Sequence, residues 1–303
     1  MHHAREHRTG VVLVTSAAVA WSTAGFFTRL IPLDAWTILF WRGLFGGFFI
    51  GLYVLWCYRG RTLAVTRAMG WPGVLVTCLS ALGMTTFIPA LKLTSVANVA
   101  IVFAACPFVA AGFAWIWFRE RATPLTLGAS LLAFAGVVLT VAGSGGGRDS
   151  LLGDFLALVM TVAIAAMTVA MRRYRHIPLL PTACLSNWLG ALVGLCFAAP
   201  LAAGPWDLGY QDLGYLALFG LAQMGLGLTF FTIGSRLIPA AETALISALE
   251  TPLAPLWVWL AFGEAVAPPA LIGGLLVMIA VIGHVLLQNR ANRRLGALPA
   301  AES

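Results

Sequence analysis

Apolar stretches of about 20 residues alternate with short polar breaks along almost the whole of this 303-residue chain. A helix of that length, rising about 1.5 Å per residue, crosses a hydrocarbon core about 30 Å thick and bonds its own backbone groups as it goes. The breaks predict ten such helices, over about 10–30, 35–56, 71–92, 95–118, 124–143, 152–172, 181–203, 213–235, 240–262 and 268–288. The first run has the charge and apolarity of a signal peptide, but it lacks a small-residue cleavage site and nine more spans follow, so it reads as a span. The one stretch of linker composition, Gly143–Ser150 (GSGGGRDS), falls between the fifth and sixth helices. It divides the chain into a first five-helix unit (1–143), a linker (144–151), a second five-helix unit (152–288) and a cytoplasmic tail (289–303). An odd number of crossings per unit makes the second unit enter the membrane from the opposite side. The expected fold is therefore all-α, with two inverted five-helix repeats.

The two units share a pattern. LKLTSVANVAIVFAACPFVAAGFAWIWFRE (91–120) and SRLIPAAETALISALETPLAPLWVWLAFGE (235–264) each lead from a basic residue (Lys92, Arg236) through small residues to a proline (Pro107, Pro252), a Trp-x-Trp pair and a glutamate (Glu120, Glu264), with equivalents about 144–145 positions apart. Arg29 corresponds to Arg173, and Arg42 to Asn187. Inverted repeats of membrane helices point to a transporter whose substrate site lies between the halves.

Composition and charge agree with this. Charged residues make up 10% and apolar residues 60% of the chain, against about 25% charged in soluble domains. The net charge of +7 could suggest nucleic-acid binding, but its distribution excludes that. With the N-terminus inside, the cytoplasmic loops and ends collect Arg5, Arg8, Arg59, Arg61, Arg67, Arg119, Arg121, Arg172, Arg173, Arg175, Arg236, Arg290, Arg293 and Arg294. The outer side receives Arg29, Lys92 and Arg148 among Asp34, Asp149, Asp154, Asp207, Asp212 and Glu264. That is the positive-inside asymmetry, with both termini cytoplasmic. The five cysteines lie in or at the ends of apolar spans without CxxC spacing and read as small core residues.

Taken together, Trp21-Ser22, Arg42, the LKLTSVANVA stretch, Pro107 and Arg119-Glu120 followed by a helix containing Gly128 and Gly136 resemble the drug/metabolite transporter superfamily, specifically its bacterial ten-helix exporters with paired EamA-type domains. The resemblance covers nearly the whole chain; it departs at Ile164-Ala165, where the family has Trp-Ala, and in the glycine spacing of the last helix (Gly273, Gly274, Gly283). It implies export of amino acids, aromatic ones included, across the bacterial inner membrane, with helices one, three, four, six, eight and nine around the cavity.

Several residues could do chemistry in such a cavity. Glu250 stands at the centre of the ninth helix, where a carboxylate costs about 2.5–3.5 kcal/mol to insert and therefore faces a wet interior. It is the candidate for binding a substrate amine or coupling a proton. Asn98 and Gln223 can offer donor and acceptor to a substrate, or bond between helices. Trp21, set mid-membrane, could stack on an apolar or aromatic substrate, with Met84, Phe87, Phe103 and Met224 as an adaptable lining; core packing is the alternative for each. Pro107, Pro252 and Pro255 kink their helices and free carbonyls, which suits gates or cavity walls, while Gly83 and Gly225 allow close approach or bending. Arg42, about 10 Å below its helix end, is read as a structural charge that snorkels or pairs with Asp34, with a substrate carboxylate as the other partner. Trp36, Trp56, Trp71, Trp115, Trp117, Trp257 and Trp259 form an interfacial belt.

The resulting expectation is a carrier of small molecules embedded in lipid, sufficient as a monomer, without cofactor, metal or nucleic acid. It is not an enzyme: neither G-x-S-x-G nor H-E-x-x-H occurs, and Gly143–Gly147 runs into Arg148 rather than the Lys-Ser/Thr of a phosphate loop. Other solute classes (nucleotide sugars, drugs, lipids) are the nearest alternatives, with a channel or an intramembrane enzyme further off.

Overall fold

The computed structural model describes residues 2–119, 123–143, 148–174, 177–198, 206 and 208–296. Among them there are no strands, and ten helices are long and apolar enough to cross a membrane. They are α1 (His2–Ser22 with Ala24–Leu30), α2 (Ala35–Tyr58), α3 (Gly70–Leu93), α4 (Val96–Ala104 with Cys106–Phe118), α5 (Pro124–Ala142), α6 (Arg148–Arg173), α7 (Leu179–Ala198), α8 (Tyr210–Gly220, Leu221–Gly227 and Leu228–Gly234), α9 (Ala240–Ser247 with Glu250–Phe262) and α10 (Pro268–Gly296). A short helix, Thr62–Ala68, joins α2 to α3 and was not expected from the sequence. The helix of α6 begins at Arg148, inside the stretch read as linker; residues 144–147 lie outside the described residues, as do Glu120, Arg121, Arg175 and Asp207.

Helix pairing follows a pseudo-twofold pattern. α2 packs on α7, α5 on α10 and α4 on α9, each pair being its own counterpart when the five-helix units exchange. The α3–α6 pair matches α8–α1, α3–α7 matches α8–α2, and α4–α6 matches α9–α1. One hydrophobic cluster runs through the centre, from Phe27 and Ile31 of α1 through Ile88 and Val99 to Phe219 and Val258. Large apolar side chains such as Phe48, Phe134, Leu192 and Leu275 are exposed on the rim, as a lipid-facing surface requires.

Local chemistry sets the helix ends. Asp34 caps α2 by accepting from the Trp36 and Thr37 amides (2.8 and 3.0 Å), and Ser95 caps α4 through the Asn98 amide (3.1 Å). The repeat-matched helices α4 and α9 both end on a left-handed residue, Arg119 (φ 56°) and Gly263 (φ 69°). Glycine adopts that backbone freely and arginine does not.

The α5–α10 contact depends on missing side chains. A Cβ on Gly273 would lie 2.2 Å from Thr140 Oγ1 and 2.4 Å from the Gly136 carbonyl. Gly273→Ala therefore has to push two helix backbones apart, an overpacking cost of about 1–3 kcal/mol. The expected result is a lower unfolding temperature in detergent, whereas alanine at Gly128, which meets nothing within 4 Å, leaves it in place.

The candidate substrate cavity and its latch

The four helices that meet near the centre are interrupted there. In α1 the break is at Thr23, whose hydroxyl donates to the Ala20 carbonyl (2.6 Å). In α4 it is at Ala105, where the bonding shortens to Ala105 N→Val102 O (3.2 Å) just ahead of Pro107. In α9 the equivalent bond is Thr251 N→Ala248 O (3.2 Å) just ahead of Pro252. A proline lacks the N–H needed to continue the ladder, so the paired prolines account for the paired breaks. α8 instead widens into a π-helical stretch, Leu221–Gly227. Such stretches open the carbonyl ladder and cluster at functional sites.

The interrupted portions of α1, α4 and α9, with α3, surround a cavity of about 370 Å³, its mouth included. Of this, only about 30 Å³ is room that can hold a water-sized group, about two waters at the usual ~10–15 Å³ each, so the described arrangement holds a narrow cleft rather than an open chamber. Trp21, Ala24 and Gly25 come from α1, Phe87 and Leu91 from α3, Val96, Val99, Ala100 and Phe103 from α4, and Glu250, Thr251 and Ala254 from α9. The wall is apolar and aromatic apart from Glu250 and Thr251. Glu250 opens the second segment of α9, where the Thr251 and Leu253 amides already bond the Ala248 and Leu249 carbonyls and Pro252 has no amide to offer. Among the described residues no side chain or backbone group hydrogen-bonds it.

Of the residues singled out from the sequence, Trp21, Phe87, Phe103 and Glu250 meet in this wall; the others are placed elsewhere. Asn98 is 4% exposed and its amide donates to Thr94 Oγ1 and Asp154 Oδ1 (both 3.2 Å), tying α4 to α6. Gln223 is 2% exposed; its amide nitrogen donates to the Trp21 carbonyl (2.8 Å) and its oxygen accepts from Arg42 Nε and Nη2 (3.3 and 2.9 Å). Both are interhelical bonds rather than wall groups. The Trp21 indole returns a bond to the Gln223 carbonyl (3.0 Å), made available by the π-helical stretch. Met224 packs with Ile50, Val54 and Cys184 at the α2–α7 interface, and Met84 is half-buried outside the wall. Helices six and eight, expected around the cavity, contribute no wall residue among those described.

Arg42 neither snorkels nor pairs with Asp34. It is 2% exposed, and Asp34 is occupied as a helix cap. Gly83 sits against Ile164 of α6 (2.6 Å from its would-be Cβ), and Gly225 against Leu221 of its own helix (2.8 Å) and Phe49 of α2 (3.5 Å). Trp257, read as part of the belt, turns inward and donates to Ser22 Oγ (2.8 Å). His284 bonds Thr126 Oγ1 (3.0 Å).

Charges missed as a unit by sequence reasoning meet beside one end of the cavity wall. Arg29 Nε meets Glu264 Oε2 at 2.7 Å. Nη1 of Arg29 donates to the Leu91 carbonyl and Nη2 to that of Thr94 (3.0 Å). Glu264 also accepts from the Val96 amide (3.4 Å), and Thr94 Oγ1 donates to Asp154 (2.8 Å). This knot joins α1, α3, α4, α6 and the end of α9 beside the wall residues Leu91 and Val96. The available signal was the matching of Arg29 with Arg173 and Glu264 with Glu120 across the repeat.

A bundle of two five-helix units, pseudo-twofold pairing and a central cavity between broken helices describes an inverted-repeat carrier. The EamA-like transporter family model matches residues 8–142 and again 151–286. The chain belongs to the EamA-like transporter family. It is a multi-pass membrane transporter, and the two matched segments coincide with the two sets of five helices. A protein of known crystal structure aligns with this EamA-like transporter over 94% of the chain and 99% of its own length, at 23% identity and a TM-score of 0.64; that likeness shows a shared fold. No curated protein matches the chain.

Proposed function

We propose that this EamA-like transporter exports small amine-bearing metabolites, foremost amino acids including aromatic ones, from the cytoplasm of a bacterium across its inner membrane. Both termini are cytoplasmic in this reading. The five-helix units, bounded near 1–143 and 152–288, rock against each other to expose the cavity to either side in turn. The observation that carries the reading is Glu250: a carboxylate without a protein partner in an otherwise apolar cavity wall. A buried charge needs a counter-charge or hydrogen bonds, and an ammonium group supplies both. Trp21, Phe87 and Phe103 supply ring faces for an apolar or aromatic side chain. Few polar wall groups mean weak discrimination, hence broad specificity.

In this reading the Arg29–Glu264 knot faces outward, as positive-inside charge suggests, and shuts the cavity on that side. Pro107 and Pro252 mark where α4 and α9 bend as the cavity changes sides.

The test is uptake of a labelled amino-acid panel by the purified protein in liposomes, with and without a pH gradient. Saturable uptake of several amino acids is expected, with apolar and aromatic side chains preferred. Uptake indistinguishable from protein-free vesicles for every amino acid overturns the substrate class.

A further inference from the structure

The mid-membrane region holds a second unpaired charge, of opposite sign to Glu250. Arg42 is 2% exposed, and its guanidinium stays charged at any physiological pH. Among the described residues it has no carboxylate partner. Asp34 caps α2, Asp154 holds Thr94 and Asn98, Glu264 holds Arg29, and Glu242 holds His7 (2.9 Å). What Arg42 has instead is neutral. Nε and Nη2 share the single Gln223 amide oxygen, and the guanidinium rests near the Phe219 and Phe87 rings, 5.0 and 6.0 Å from their centroids. Nη1 bonds no described residue. Rings and one amide oxygen soften a buried cation without cancelling it.

Phe87 connects this charge to the cavity. The same ring that approaches Arg42 is part of the cavity wall. Gln223, which bonds Arg42, also bonds Trp21, another wall residue. One layer of side chains thus separates a lone cation from a cavity that holds a lone carboxylate. We propose that Arg42 is the anchor for a substrate carboxylate, reached when the Phe87 ring turns aside, so that the cavity selects zwitterions with the amine on Glu250 and the carboxylate on Arg42. The guanidinium fork matches a carboxylate with two parallel bonds, and a zwitterion neutralises both isolated charges together. This rests on the reading of Glu250 as the amine site and adds the second recognition element that a mere amine carrier lacks.

The experiment compares binding of L-phenylalanine, phenethylamine (the same molecule without its carboxylate) and 3-phenylpropionate (without its amine) to the purified full chain in nanodiscs. Wild-type protein is expected to bind L-phenylalanine at least about tenfold more tightly than phenethylamine, the scale of one charge-assisted contact. Arg42→Gln is expected to bring L-phenylalanine down to the affinity of phenethylamine. Gln223→Glu pairs the guanidinium in place but gives up the amide bond to the Trp21 carbonyl; it is expected to abolish the same preference for L-phenylalanine over phenethylamine and covers the case in which Arg42→Gln does not fold. Glu250→Gln should weaken L-phenylalanine and phenethylamine together. A wild-type protein that binds the two equally overturns the role of Arg42 and leaves the Glu250 reading standing. The role is also overturned if Gln223→Glu weakens both ligands by one factor. Failure of the wild type to bind any of the three overturns the amine reading and the zwitterion site with it.

Discussion

Replacing Glu250 with glutamine is expected to lower amino-acid uptake by about 10–100-fold, while the protein remains folded and correctly inserted. A hydrogen bond to a charged group contributes about 1.5–3 kcal/mol, and each 1.4 kcal/mol is a tenfold change. Glutamine keeps the size of the side chain and can still bond a neighbour, so packing of α9 is preserved; only the negative charge facing the cavity is lost. The fold has no stake in that charge, because no described residue bonds it. Initial uptake rates in liposomes, set beside an unfolding curve for the same preparation, separate the two roles. A well-folded Glu250→Gln protein that transports at wild-type rate would remove Glu250 from the mechanism.

Cutting the Arg29–Glu264 knot is the second large effect. The pair is partly exposed, with side-chain accessibilities of 23% and 30%, so the ion pair alone is worth less than a fully buried one. Arg29 also holds the carbonyls of Leu91 and Thr94, however, and Arg29→Ala releases all of these bonds together. A loss of about 1–3 kcal/mol from the outward-closed arrangement moves its population by roughly 5–150-fold. The readout is labelling of a single cysteine at Ala100, in the cavity wall, by a membrane-impermeant maleimide added outside cells, in a background without the natural cysteines. Arg29→Ala is expected to label much faster than its parent, and the exchanged pair Arg29→Glu with Glu264→Arg to recover part of the protection. Equal labelling rates would show that the knot does not close the cavity.

The ten helices and their division into two units were legible because the bilayer imposes length and apolarity on every span, which composition records directly. Breaks in α4 and α9 were legible through Pro107 and Pro252, since proline acts on the backbone wherever it stands. The short helix Thr62–Ala68 was missed for the opposite reason: it lies outside the apolar spans and leaves no hydropathy signature. Side-chain partners were the other weak point. The interhelical bonds of Asn98 and Gln223 and the burial of Arg42 away from Asp34 were not legible, because sequence gives the donor inventory of a side chain and not the helix it faces. Gln223 reaches both Trp21 and Arg42 from a widened turn of α8, a register shift encoded only as the diffuse glycine cluster Gly220, Gly225 and Gly227. Met224 turns from the cavity to the α2–α7 interface in the same stretch. Glu250 was legible because a lone carboxylate in an apolar span has few places to go.

Three bonds between α1 and the α9 strand of the chain share one spacing. His7–Glu242, Ser22–Trp257 and Arg29–Glu264 each join residues 235 positions apart. The two segments therefore run parallel with no slip between the first tooth and the last, like a rack seated in its track. Sliding one past the other by a single residue would unseat all three contacts at once. The seam therefore resists shear and leaves opening to bending at the breaks already present in its two helices, at Thr23 in α1 and at Ala248–Leu249 in α9.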